Sequence, residues 1–159
     1  MKFAIKLAGL AMALTMVAGV AGMAEAESPH DGVVKARQGD MQMRAFNLGI
    51  LGGMAKGKIE YNAKAASAAA YNLRVLSTLN ASAMWPQGSD AGAYGDGTTA
   101  SADLWANFPK VIEAAKAFNA AATAMEAAAG KDLASLQGAM GGVGKSCGGC
   151  HKPFRVKKK

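Results

Sequence analysis

Apolar residues recur at helical intervals through most of the chain, and no stretch shows the two-residue alternation of a half-buried strand. Between Gly32 and Lys56, the positions Val34, Gln38, Met41, Ala45, Leu48, Gly52 and Ala55 fall alternately four and three apart. They share one face of a first predicted helix, which breaks at Gly57. A second runs from about Asn62 to Ala83, with Ala66, Ala69, Leu73, Leu76 and Asn80 on one stripe. The stretch from Trp85 to Ser101, WPQGSDAGAYGDGTTAS, is too rich in Gly and Pro for a regular element.

A third helix is expected from Ser101, whose hydroxyl suits an N-cap. Its stripe is Leu104, Phe108, Val111, Ala115, Phe118, Ala122 and Met125. Pro109 marks either a kink or a start near Phe108, and Gly130 ends the segment. The fourth helix, Lys131 to Phe154, places Leu133, Leu136, Met140, Val143, Cys147, Cys150 and Phe154 at spacings of 3, 4, 3, 4, 3 and 4. That heptad seam belongs to a helix packed in a left-handed bundle. Four amphipathic helices predict an all-α fold, an antiparallel four-helix bundle.

The same helix carries Gly138, Gly141, Gly142, Gly144, Gly148, Gly149 and Pro153. Each interior glycine costs about 1 kcal/mol against alanine and an interior proline about 3. A helix so weakened should lean on something bulky and apolar, with the small residues allowing close approach.

The first 26 residues read as a secretory signal. Lys2 and Lys6 precede the uncharged run Leu7 to Val20, and Ala24-Glu25-Ala26 is a cleavage site. The run is short for a span, so a cleaved leader fits better than an anchor, and residues 27–159 form one exported domain. Losing Lys2, Lys6 and Glu25 takes the formal charge from +7 to +6. Much of that charge lies in Lys145, Lys152, Arg155, Lys157, Lys158 and Lys159. No aromatic interleaving or nucleic-acid motif accompanies it, and lysines suit the negative end of a helix dipole.

The only two cysteines and one of two histidines stand together in Cys147-Gly148-Gly149-Cys150-His151. Cys-x-x-Cys-His is the attachment signature of c-type haem. On a helix the two thiols lie one turn apart on one face, where both can add to the vinyl groups of one porphyrin. His151 then reaches the iron from the same side, and Gly148 and Gly149 permit a flat macrocycle to approach. Three alternatives fit less well. A dithiol redox pair would open a helix beside a βαβ unit. Structural zinc needs four ligands. A disulfide is awkward between neighbours on one helix face.

With the motif on the last of four helices, the chain resembles the cytochrome c' family, class II c-type cytochromes that include low-spin His/Met relatives. CGGCHKPFR is similar to that family's CxxCHxx(Tyr/Phe)Arg, and ARQGDMQM to its first-helix Arg-Gln pair and distal position. AKGKIEY and DLWANF resemble its first turn and third-helix Trp segment. The resemblance implies one covalent haem c per chain, with Cys147 and Cys150 as thioether anchors and His151 as proximal axial ligand. Arg155 would lie on the proximal side, and Arg37 and Gln38 would meet the propionates. Met41 would occupy the distal pocket, as sixth ligand in an electron carrier or as an unbound cover in a five-coordinate protein. Met43 and Met54 lie off the Arg37–Met41 stripe. The expected function is periplasmic single-electron transport, the alternative a module binding nitric oxide or carbon monoxide. No nucleophile–base set or phosphate loop suggests an enzyme. The resemblance also implies a redox partner protein or a small gas as partner, and a homodimer built on the first two helices.

Overall fold

The computed structural model describes residues 28–157; the expected signal peptide, 1–26, lies outside the described residues. Five helices follow in order: α1 (Asp31–Ala55), α2 (Ala63–Leu76), the single turn α3 (Asp103–Ala106), α4 (Phe108–Ala129) and α5 (Leu133–Phe154). One turn of 3-10 helix, Ser82–Met84, interrupts the long connection from α2 to α3. The four long helices form the bundle. α1 packs on α2, α2 on α4 and α4 on α5, while α1 and α5 touch less and leave a cleft between them.

Local chemistry sets the boundaries. Asn62 caps α2 by accepting from the Ala65 amide at 2.9 Å. Asp132 caps α5 through the Ser135 amide at 2.7 Å. That bond holds the Asp132 carboxyl below the usual carboxylate range. Gly57, at φ +66, turns the chain out of α1. α2 stops at Leu76, short of the expected Ala83, where the hydroxyls of Ser77 and Thr78 donate to the Arg74 and Val75 carbonyls. Ser101 accepts from the Asp103 amide just ahead of α3, whose N-cap is Ala102, and α4 begins at Phe108 with Pro109 in its first turn, where the missing N–H is no loss. Gly130 ends α4 against α2, and a Cβ there would collide with the Ser67 hydroxyl.

The core is Leu51 and Met54 of α1, four small or medium residues of α2 (Ala66, Ala69, Ala70, Leu73), Phe118, Ala122, Met125 and Ala129 of α4, and Leu136 and Val143 of α5. The α5 seam faces inward as its spacing predicts. The α1 stripe does not. Its buried residues are Val34, Arg37, Asn47, Leu51 and Met54, whereas Gln38 and Ala45 are exposed. Asn47 is accommodated because it donates to the Met43 carbonyl at 2.8 Å and accepts from Asn72 at 2.9 Å. An apolar template skips such a residue and rotates the inferred face.

Pro153 does not end α5, which runs on to Phe154. The ring removes one hydrogen bond beside the exposed Gly149, and the chain beyond is fixed by the long connection. Ser101 donates to the Phe154 carbonyl and Val156 to the Thr99 carbonyl, both at 2.9 Å, around an antiparallel bridge between Ala100 and Arg155.

Among the described residues the α5 glycines are not explained by helix contact. Gly138, Gly141, Gly142 and Gly144 are exposed, and a Cβ on any of them would meet nothing within 4 Å. The close approach expected from them is not to another helix. Gly141→Ala with Gly144→Ala is therefore expected to stabilise the fold by up to about 1 kcal/mol per site. Thermal unfolding should show a melting temperature several degrees higher. A fall would mean that something covers this face of α5.

Candidate haem site

The cleft between α1 and α5 has a volume of about 350 Å³, within the ~300–1,000 Å³ range of cofactor sites. α1 supplies Val34, Arg37, Gln38 and Met41 to its walls, and α5 supplies Cys150, His151, Phe154 and Arg155. Trp85, the segment 97–100 and Leu104 close the remaining side. Every expected site residue but Cys147 lines this one space. Cys147 lies one turn back along α5, half-buried against the core.

The two thiols are free and half-buried. Burial pushes both up from the ordinary thiol value; Arg44 opposes this at each, and at Cys150 the Cys147 thiol adds to it. They are thus neutral thiols, unlike the low-pKa nucleophile of a redox dithiol. The His151 imidazole is pushed below its ordinary value, first by burial and second by the Arg155 charge. Its neutral form is the one that binds a metal. Among the described residues, no three His, Cys, Asp or Glu side chains form a metal-ion cluster. A macrocycle bringing its own in-plane donors asks less: two thiols on one helix face, one neutral imidazole beside them and a broad space with apolar walls. The residues present fit haem.

Arg37 is buried and bonded through both of its Nη nitrogens. It donates to the Ser89 hydroxyl at 2.9 Å and the Ser89 carbonyl at 2.8 Å. Its guanidinium stacks 4.6 Å from the Trp85 ring centroid. Burial lowers its pKa and the nearby Tyr94 opposes the shift. Trp85 is fixed in turn by Trp105, whose indole donates to the Trp85 carbonyl at 3.0 Å. Gln38 donates to the Gly97 carbonyl at 2.6 Å. Both residues expected at the propionates thus stand on the cleft wall and also fasten the glycine-rich connection to α1.

Sequence reasoning missed Trp85 and Ser89 as site residues, because nothing local in a glycine-rich stretch says what it will cover. It also missed Arg44, although 37, 41 and 44 fall at helical spacing on one face. Arg44 pairs with Asp40 through Nε at 2.9 and 3.0 Å and donates to the Leu76 carbonyl at 2.8 Å. Its guanidinium lies 4.7 Å from the Phe118 ring centroid.

Helical bundle, CxxCH on the inward seam of the last helix and an open cleft against the first helix together define a c-type haem protein of the bundle class. Residues 32–155 match the family described as Cytochrome C'. The cytochrome c-554 of Cereibacter sphaeroides is 37% identical over 93% of this chain and 95% of its own. The solved cytochrome c' of Rhodobacter spheriodes superposes with a TM-score of 0.79 at 37% identity, covering 82% of this chain and all of that one. A carbon monoxide-bound variant of the Alcaligenes xylosoxidans cytochrome c' reaches 0.69 at 29% identity, over 82% of this chain and 98% of its own. The chain belongs to the cytochrome c' family, whose cofactor is covalently bound haem c.

Replacing Arg37 by Met should leave the wholly buried Ser89 carbonyl without its donor. The expected cost is about 1–3 kcal/mol. It should appear as a lower urea midpoint for the haem-loaded protein, with Ser89→Ala costing less because the carbonyl bond survives. An unchanged midpoint in Arg37→Met would remove Arg37 as the fastening of the connection.

Proposed function

We propose that this chain is an exported, periplasmic haem c module that binds nitric oxide or carbon monoxide at a five-coordinate iron. The observation that carries this reading is the likeness, over nearly the whole described chain, to proteins named cytochrome c'. Met41 stands on the α1 wall of the cleft and His151 on the α5 wall. The relative with carbon monoxide bound supports the same reading.

The bound haem supplies an iron with an exchangeable axial position. The protein does the rest. Cys147 and Cys150 would hold the macrocycle to the bundle seam through thioethers, each formed by addition of an S–H group across a vinyl group. His151, whose neutral form is favoured by burial and by the Arg155 charge, would be the iron ligand from the α5 side. Arg37 and Gln38, on the cleft wall, would meet the propionates, an arginine being well matched to a carboxylate. Leu104, Phe154 and Val34, all buried, keep water from the cleft. A second reading, single-electron carriage to a redox protein, draws on the same methionine. A thioether bound to iron would raise the potential. The cytochrome c-554 relative leaves that reading open. In either case the module binds or carries rather than catalyses, and among the described residues no helix is long and apolar enough to cross a membrane.

The ferric protein is expected to show a high-spin spectrum with no methionine-to-iron charge-transfer band. Its ferrous form should bind carbon monoxide, and Met41→Ala should accelerate binding about tenfold. A low-spin spectrum whose methionine band disappears in Met41→Ala would favour electron carriage instead.

Met43, Phe46, Tyr71, Val75 and Leu79 leave large apolar side chains exposed on α1, α2 and the residues just after α2, with Phe46 at 70%. We infer a homodimer through these two helices. Sedimentation should give a dimer at micromolar concentration that Phe46→Lys converts to monomer. A monomeric parent protein would contradict this.

A further inference from the structure

Charge is unevenly spread over the bundle. From Leu133 to Lys159 the sequence holds no Asp or Glu, while Lys145, Lys152, Arg155 and Lys157 are all exposed. Elsewhere the signs are mixed: Arg44 pairs with Asp40 on α1, and Arg74 of α2 lies 3.9 Å from Glu126 of α4. Among the described residues none of the four cations pairs with a carboxylate, although Asp96 shares the lining of a surface hollow with Lys157. The helix dipole accounts for Lys152, which stands in the last turn of α5. It does not account for Lys145, about two turns earlier, because the effect fades within one turn.

Lys145 and Lys152 are seven residues apart, so they fall on one line along the helix, roughly 10 Å from each other. Gly148 and Gly149 straddle that line, and Cys147 and Cys150 fall on the other side of the helix. Burial agrees: both lysines and Gly149 are exposed, whereas the cysteines are half-buried and Cys147 packs on the core. A Cβ on Gly149 would meet nothing within 4 Å, and one on Gly148 would meet only the Lys152 side chain, at 3.6 Å. The outer line is a low surface with a cation at each end. The backbone of α5 alone separates it from the thiols.

We propose that this outer face of α5 is the docking surface for an acidic one-electron donor protein, which reduces the iron from behind the two cysteines. One electron leaves the partner's reduced centre and converts ferric to ferrous iron; no bond forms or breaks. A cationic face steers an anionic partner during encounter. The missing side chains of Gly148 and Gly149 let the partner's surface come close to the attached group. The proposal rests on the reading of the chain as a haem c protein. It supplies what gas binding needs, since carbon monoxide takes ferrous iron, and it serves electron carriage equally.

The test is stopped-flow reduction of the ferric haem-loaded protein by reduced plant-type ferredoxin, an acidic one-electron donor of low potential. Photoreduced lumiflavin serves as a neutral small donor. Lys145→Glu combined with Lys152→Glu is expected to slow reduction by ferredoxin about tenfold or more at low ionic strength, and the gap should close at high salt. Reduction by lumiflavin should stay as in the parent, which reports an intact haem site. Lys58→Glu with Lys64→Glu alters two exposed lysines at the far end of the bundle, where Gln137 of α5 meets Ala55 of α1. It makes the same change in net charge and should leave the ferredoxin rate nearly unchanged. The proposal is overturned if ferredoxin reduces the α5 variant as fast as the parent, or if the Lys58 and Lys64 variant is slowed as much. It is also overturned if the two α5 lysines bind the protein to phosphatidylglycerol vesicles while the ferredoxin rate ignores them, since the face would then serve a membrane. Carbon monoxide binding by the dithionite-reduced protein is read separately. Its failure would count against the gas-binding function and leave the docking face standing.

Discussion

The register of α5 governs the molecule. Its heptad spacing puts Cys147 and Cys150 on the same inward seam as Leu136 and Val143, which are wholly buried. A group attached through those sulfurs cannot hang from the surface; it must occupy the bundle. The bundle is built to allow this, since α5 leans on α4 and leaves its other flank open toward α1. Moving the cysteines by one residue would turn the attachment through about 100° and out of the cleft.

The opposite wall is held by polar contacts rather than apolar ones. Arg37 grips Ser89 and Gln38 grips Gly97, and behind the lining Arg44 joins Asp40 to the end of α2. A wall that must stand beside an open space cannot rely on interdigitated side chains, because half its neighbours are missing. Directional bonds to backbone carbonyls keep it in position. The same bonds draw the glycine-rich connection over the cleft, and the pairing of residues 99–101 with the end of α5 closes the far side. A long segment without regular structure thus becomes part of the site's architecture.

How much could be read beforehand follows from these forces. The α5 seam was legible because every position on it is apolar or a thiol, and CxxCH is a local signal whose chemistry needs no distant partner. The four long helices were legible for similar reasons. The α1 face was misjudged because Arg37 and Asn47 point inward, and each is tolerated only through partners far along the chain, Ser89 and Asn72. The end of α2 depended on two hydroxyls turning back on its carbonyls. Arg44 escaped notice because an arginine on a helix reads as solvated until Asp40 of α1, Leu76 of α2 and Phe118 of α4 are seen to meet around it. The glycines of α5 meet no other helix, so the close approach that they suggested is not part of the bundle's packing.

The account stands or falls on a covalent group at Cys147 and Cys150, and the intact mass of the exported protein under denaturing conditions reports on it most directly. From a host able to attach haem c, the mass should equal the chain beginning at Glu27 plus one haem, and the addition should survive acid extraction. A bare chain mass, or a haem that leaves on denaturation, would contradict the site at its foundation.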